Sequence, residues 1–369
     1  MIIQHITEYR DQDGIGLDIT GIGKYFQKKN IPNLVCAQKR LSSKLPCLHP
    51  EELLEKSRGE SIHVLHFGWS GYPLDFFYSL PGKKILRYHN FTPKHFFQKT
   101  IAKDFYDAVS ITQDKSLFEL ESLRTSVLCS ICDSEFNANH LISLGYDPQK
   151  VMVAPIFKEY CETEVILRRI EKKIQNGSYK KILVIGGIGR IFPNKKWEDL
   201  IILTYFLKKY IPKIQCKILG NSSVITEAYL KYLKNLIQEL YLEENVKILE
   251  KTTEEEKFSH MESFDLFVSM SEHEGFGIPL LEAVEFGIPV FAFQSSSISE
   301  TMQGKGILFP EKNFEKLVNM ILYIHENESI AIQVAKSQAE IMDYYRSAEA
   351  FLNWEKIIQN LFPQKAYEN

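Results

Sequence analysis

Apolar residues in this chain recur in short blocks separated by longer stretches with helical spacing. Blocks at 2–6, 34–37, 62–67, 84–88, 127–132 and 151–153 are largely continuous rather than alternating. Runs of that kind suit strands buried on both faces, as in parallel sheets. Between them lie amphipathic or helix-forming stretches at 18–29, 99–122 and 135–144. The alternation restarts at 181–185 and continues through 215–219, 246–249, 266–270, the run after Gly287, and 306–309. Its helices are expected at 197–209, 226–241, 254–262 and 280–286, and the chain beyond 309 reads as helical, including 347–361. The pattern predicts an α/β protein with two Rossmann-like domains, mainly parallel sheets facing each other across a cleft. The expected division is 1–160, a linker at 161–180, 181–345, and a C-terminal helix in 346–369 packing back toward the first domain. Within the linker, Asn176-Gly177-Ser178 reads as a turn, and the charged helical stretch 164–173 as a solvated face.

One junction in this pattern carries more chemistry than the others. The strand at 266–270 runs into a loop holding Glu274, Gly275, Phe276, Gly277 and Ile278. Pro279 fits the first turn of a helix, and Gly287 suits the left-handed residue that ends one. Unpaired amides at a helix start favour an anion, with the positive end of the dipole behind them. Two carboxylates, Glu274 and Glu282, flank that position. A phosphate at the helix start with acids beside it, able to accept from hydroxyls, suggests a sugar nucleotide. The competing reading is a plain strand–turn–helix unit whose glycines serve only the turn.

Other strand ends add candidates. Residues 10–18 form a glycine-bearing loop in which Gly16 would let the backbone approach a ligand. It is no P-loop, because Gly23-Lys24 precedes Tyr25 and Asp18 stands where the first glycine should be. His89 follows the strand 84–88 directly, at the carboxyl end where ligands collect in open α/β sheets; His66 closes the preceding strand in the same way. In the loop 186–196, Arg190 and Lys195 place two cations beside glycines. That combination suits a diphosphate, arginine acting as a fork and lysine as a point charge.

Composition narrows the classes. Among 369 residues, 44 basic and 47 acidic side chains leave a net charge of −3, so nothing argues for nucleic acid as a partner. No apolar run approaches the ~20 residues that span a bilayer, and the N-terminus enters strand-like sequence without a signal peptide. The six cysteines are scattered, and Cys129 and Cys132, although spaced as CxxC, lie in an apolar strand and read as structural thiols. A reducing cytoplasm fits this usage. No Asp-x-Asp stands in a loop suited to a metal-bound diphosphate, so no metal cofactor is expected.

Several of these loops together resemble one family. Glu274-Gly-Phe-Gly-Ile-Pro-Leu-Leu-Glu282 looks like the E-x7-E motif of the retaining GT-B glycosyltransferases of glycosyltransferase family 4. Arg190 and Lys195 match the phosphate-loop cations of that family in spacing, although Lys196 stands where a glycine is usual. Segments 88–93 and 13–18 resemble a subgroup that makes bacterial surface polysaccharides. The resemblance implies a GT-B fold and a cytoplasmic enzyme moving a mannose- or glucose-type hexose from a nucleoside-diphosphate sugar. The acceptor would be a polysaccharide or lipid-linked glycan, with peripheral contact at the inner membrane surface compatible with it. It implies that Glu282 accepts from the ribose hydroxyls, while Glu274 and the amides of Gly275, Phe276, Gly277 and Ile278 face the sugar and phosphate. Arg190 and Lys195 would neutralise the leaving diphosphate, His89 would contact the transferred sugar or a reacting oxygen, and Gly16 would admit the donor. An epimerase or hydrolase on the same scaffold, or a non-catalytic sugar-nucleotide-binding subunit, is the alternative.

Overall fold

The computed structural model describes residues 1–361 except 12, 57–60, 99, 176–182 and 348. The turn expected at 176–178 and the tail after 361 lie outside the described residues. Two compact units form. The first combines Met1–Phe91, Ser110–Glu159 and the described residues from Tyr345 onward; the second combines Thr92–Val109 with Tyr160–Tyr344.

The first unit is built on a seven-stranded parallel sheet. Its strands are β1 (Ile2–Tyr9), β2 (Asn33–Arg40), β3 (Cys47–Leu48) and β4 (Ser61–Phe67), then β5 (Gly82–Tyr88), β6 (Cys129–Cys132) and β7 (Val151–Val153). The spatial order is β3-β2-β1-β4-β5-β6-β7. Strand order reverses direction between β1 and β4, and at such a switch point the outgoing loops diverge and leave a crevice. Every residue of β4 is buried, so His63 and His66 are polar groups inside a sheet covered on both faces. The helix Gly14–Lys28 starts at an Asp13 cap, whose Oδ1 accepts from Gly16 N at 2.7 Å, and buries Ile19, Ile22 and Phe26. The terminal helix Leu352–Leu361 seats Trp354 edge-on to Phe26, ring centroids 6.2 Å apart, and Asn353 Nδ2 donates to Val153 O at 2.6 Å. Cys129 and Cys132 are both buried in β6; burial pushes the Cys129 thiol up to about 11 and the Cys132 thiol higher still.

The second unit holds six parallel strands: β8 (Val184–Ile188), β9 (Gln215–Leu219), β10 (Val246–Leu249), β11 (Leu266–Ser269), β12 (Val290–Phe293) and β13 (Ile307–Phe309). Their order is β10-β9-β8-β11-β12-β13, again with one reversal, here between β8 and β11. Two segments depart from expectation. The helix Thr163–Gln175 is no solvated linker element: Ile166 and Ile170, one turn apart, are fully buried, and Ile170 packs against Gly287. Its charged residues mask an amphipathic stripe. Residues 92–109, expected within the first domain, belong to this unit, where buried Phe97 meets Phe192 edge-on at 5.6 Å. Among the described residues no helix is long and apolar enough to cross a membrane.

Candidate functional site

In the second unit the two loops singled out by sequence leave neighbouring strands on either side of the switch point. β8 leads into 189–196 and the helix Trp197–Lys208; β11 leads into 270–277 and the helix Ile278–Glu285. Asn194 laces them together, accepting from Glu272 N at 2.8 Å and donating from Nδ2 to His273 O at 2.8 Å. Across this seam Lys195 Nζ meets Glu274 Oε1 at 2.6 Å, both side chains mostly covered. Lys195, Glu274, Gly277 and Pro279 line one open pocket. Lys196 points elsewhere, its Nζ 3.6 Å from Glu198 and 3.7 Å from Glu272. Burial opposes its charge, but the two carboxylates prevail and raise its pKa. Arg190 lays its guanidinium over the Phe192 ring, 4.3 Å from the centroid, and its carbonyl accepts from Trp197 Nε1 at 3.1 Å.

The acidic loop is held by residues that no motif announced. Glu274 N donates to Ser296 Oγ at 2.8 Å, Ser297 Oγ donates to Glu274 O at 3.0 Å, and Thr301 Oγ1 donates to Phe276 O. Gly277 caps the helix with φ 94, a left-handed conformation that glycine adopts without a Cβ clash, and Ile278 and Pro279 open the helix behind it. Glu282, in the second turn, pairs with Lys257 Nζ at 2.6 Å from the helix Glu254–Glu262. Gly275 joins Glu274 to buried Phe276.

In the first unit His89 stands at the carboxyl end of β5, its amide donating to Phe67 O at 2.9 Å, and only 8% of it is exposed. Both ring nitrogens are engaged: Nδ1 lies 3.0 Å from Asp133 Oδ2, and Nε2 lies 3.0 Å from His66 Nδ1. Beneath them Arg87, fully buried, donates to Asp18 Oδ2 from Nε at 2.8 Å and to the carbonyls of Ala154 and Pro155. Asp133 Oδ1 is 3.0 Å from Arg87 Nη2, an ion-pair contact without hydrogen-bond geometry. Asp18 Oδ1 also accepts from Phe157 N at 2.6 Å. Gly16 sits where any Cβ would fall 1.6 Å from Arg10 O, so the loop closes tightly on its own backbone. A second pair, His5 and His63, lies deeper in the same sheet. His63 Nε2 reaches Pro81 O at 3.1 Å, its Nδ1 meets His5 Nε2 at 2.9 Å, and His5 Nδ1 meets Tyr72 OH at 2.7 Å.

Sequence reading placed Glu274, Lys195 and Gly277 in what proves one pocket, with Glu282 and Arg190 on the same two loop–helix junctions. It missed Asp18, Arg87 and Asp133 as a buried charge cluster, and Lys257 as a partner of Glu282. The available signal was polar residues inside apolar strands, Gln4-His5 in β1, His63 and His66 in β4 and Arg87 in β5. Asp18, His66 and His89 offer three ligand-type atoms within 4.8 Å. Their spacing does not fit one metal ion: the Asp18 oxygen is 3.9 Å from both nitrogens and already accepts from Arg87. Ligands about 2.0–2.2 Å from a common tetrahedral ion lie nearer one another than that.

One seven-stranded and one six-stranded parallel sheet, both flanked by helices, match the GT-B class of glycosyltransferase folds. Within that class, residues 168–350 match the family model described as Glycosyl transferases group 1, and fold and family match together support a GT-B glycosyltransferase. The chain is 23% identical over 301 residues to an uncharacterized glycosyltransferase of Haemophilus influenzae, covering 81% of this chain and 70% of that one. Over 130 residues it is 31% identical to the O-antigen biosynthesis glycosyltransferase WclY of Escherichia coli, a stretch spanning 35% of this chain and 36% of that one. Among solved structures it is similar to Anabaena HepE in complex with UDP and glucose, TM-score 0.75 at 16% identity over 98% and 99% of the chains. Sucrose-phosphate synthase from Thermosynechococcus elongatus gives 0.72 at 14% identity, covering 98% of each chain.

Proposed function

We propose that this protein is a cytoplasmic retaining glycosyltransferase that moves a hexose from a nucleoside-diphosphate sugar to a polysaccharide or lipid-linked glycan. The observation that carries the reading is the Lys195–Glu274 contact across the β8/β11 switch point, which puts a cation and an acid in one pocket. The similarity to HepE, whose structures hold UDP, glucose and UDP-glucose, supports a uridine donor; the WclY match supports a surface-glycan acceptor.

In this reading the donor diphosphate displaces Glu274 from Lys195 and is gripped by Lys195 and Arg190. Glu282 accepts from the ribose hydroxyls, and Glu274, once released, faces the transferred sugar. The loop amides from Gly275 to Ile278 lie near the sugar and phosphate, and Gly16 and His89 are the first unit's own candidate substrate contacts. Negative charge grows on the diphosphate as the sugar becomes oxocarbenium-like, so the two cations bind that state better than the ground state. They and the helix start supply the charge that a divalent ion supplies elsewhere, and no metal is required. Leaving phosphate and incoming hydroxyl share one face, which retains the anomeric configuration.

Release of nucleoside diphosphate with an acceptor present tests the reading. Removing both cations in Arg190→Ala, Lys195→Ala should lower turnover at least ~10²-fold, the scale of losing one preorganised charge-stabilising group. Full activity in that double variant would overturn the site.

A further inference from the structure

The switch point of the first unit holds a histidine pair whose hydrogen bonds do not balance if both rings are neutral. At one end, Asp133 Oδ2 lies 3.0 Å from His89 Nδ1; a carboxylate accepts, so Nδ1 carries a hydrogen. At the other end, Gln4 Oε1 lies 3.0 Å from His66 Nε2. The Gln4 amide orientation is set by its Nε2, which donates to Ile19 O at 3.0 Å; turned over, it would press two carbonyl oxygens together. Gln4 Oε1 therefore accepts, and His66 Nε2 carries a hydrogen too. Two neutral imidazoles own one N–H each, and both are now spent on the outer partners. That would leave two bare lone pairs facing each other across the 3.0 Å between His66 Nδ1 and His89 Nε2.

We propose that His66 and His89 share a third proton, making the pair singly positive, and that Gln4 and His66 are the positioning residues that keep His89 an imidazolium. Charge bookkeeping agrees. The surrounding buried charges are Asp18 from the first helix, Arg87 from β5 and Asp133 after β6, a sum of −1 that one shared proton cancels. His5, the other titratable neighbour on β1, is held neutral by burial and by His63. Asp18 Oδ2 stands 3.9 Å from both facing nitrogens, astride the position of the shared proton. The ring centroids are 5.2 Å apart with 14° between planes, too far for face contact and consistent with edge-to-edge alignment. The Asp133 carboxylate on Nδ1 draws the charge to His89, and burial pushes the pKa of His66 well down.

The consequence for transfer rests on the reading above, in which His89 is a candidate substrate contact. A fixed imidazolium there supplies positive charge without rearrangement as charge develops on oxygen. Neutralising the pair forces one ring to change tautomer and sets two acceptors against each other at either the Gln4 or the Asp133 end, so the proton and the ring position are coupled.

The test uses the full chain labelled with ¹⁵N-histidine at neutral pH, with resonances assigned through His66→Gln and His89→Gln. The expected pattern is three protonated-type nitrogens among the four of this pair, with both nitrogens of His89 protonated. Gln4→Met removes one acceptor end without changing bulk much, lets His66 donate from Nδ1, and should leave one N–H per ring. Asp133→Asn, whose amide can turn to donate, should do the same if Gln4→Met fails to fold. The pH profile of turnover should move in whichever variant loses the proton. One N–H per ring in the native protein overturns the proposal, as does a change in these resonances on adding zinc or EDTA. A variant that loses the proton and keeps the native pH profile overturns the positioning role. Absence of turnover with every donor would instead count against the function, while the nitrogen pattern would still be read.

Discussion

The charges of the two units are held in opposite ways. In the first, Asp18 and Arg87 are wholly buried and each satisfies several partners, two of the arginine's being backbone carbonyls. In the second, Lys195–Glu274 and Lys257–Glu282 are single contacts between side chains that keep 13–24% of their surface in solvent. A buried, multiply bonded charge cannot leave without stranding its partners, so such a cluster fixes backbone positions. A partly solvated pair made by one contact can be exchanged for a ligand at smaller cost than a wholly buried one. The first arrangement suits a frame, the second a site that opens to an incoming diphosphate and ribose.

The largest effect should come from breaking the frame. Arg87→Ala leaves Asp18 and Asp133 buried without their cation and frees the carbonyls of Ala154 and Pro155. Removing one partner of a buried pair costs about 3–5 kcal/mol, and urea unfolding followed by a probe in the first unit, such as Trp354 fluorescence, should show it. A loss under ~1 kcal/mol would mean the cluster is no frame.

Acid should weaken the same unit next. His63 Nε2 must donate to Pro81 O, so His63 Nδ1 accepts from His5 Nε2 and His5 Nδ1 accepts from Tyr72 OH. That chain ends in a hydroxyl able to donate, so it closes with both rings neutral, unlike the pair at His66. Burial lowers the His63 pKa to about 4, below its unfolded value near 6.5. The folded state therefore binds fewer protons in that window, and stability present above pH ~6.5 is lost as pH falls toward 4. The loss traceable to His63 is at most about 3.4 kcal/mol, and His63→Gln should flatten the slope of stability between these limits.

Much of the second unit was legible because its signals are local. Strand, glycine, proline and acid at 266–282 lie in sequence order, and the capping role of Gly277 follows from one residue's backbone. The first unit's cluster was not, since Gln4, Asp18, His66, Arg87 and Asp133 come from five separate segments and meet only when the sheet order is known. Each looked like an isolated polar residue, and sequence spacing cannot show that β1, β4 and β5 are adjacent in that order. The helix at 163–175 was misread for another reason: its two buried isoleucines sit among so many charges that the stripe is only two residues wide.

The smallest effect is expected where the exchangeable pair meets the donor. Glu282→Ala removes the proposed ribose contact and should weaken donor binding roughly tenfold, about 1.4 kcal/mol. Its partner should behave differently. Lys257 competes with the ribose for Glu282 Oε1, so Lys257→Ala relieves that competition and should leave donor affinity equal or raise it a few-fold. Because the pair is partly solvated, the change in unfolding free energy should stay within ~1 kcal/mol. Titration of the nucleoside diphosphate sugar by calorimetry separates the cases. Weaker binding in Lys257→Ala would make Lys257 itself a donor contact, and the second unit's pair would then be part of the grip rather than a latch released by it.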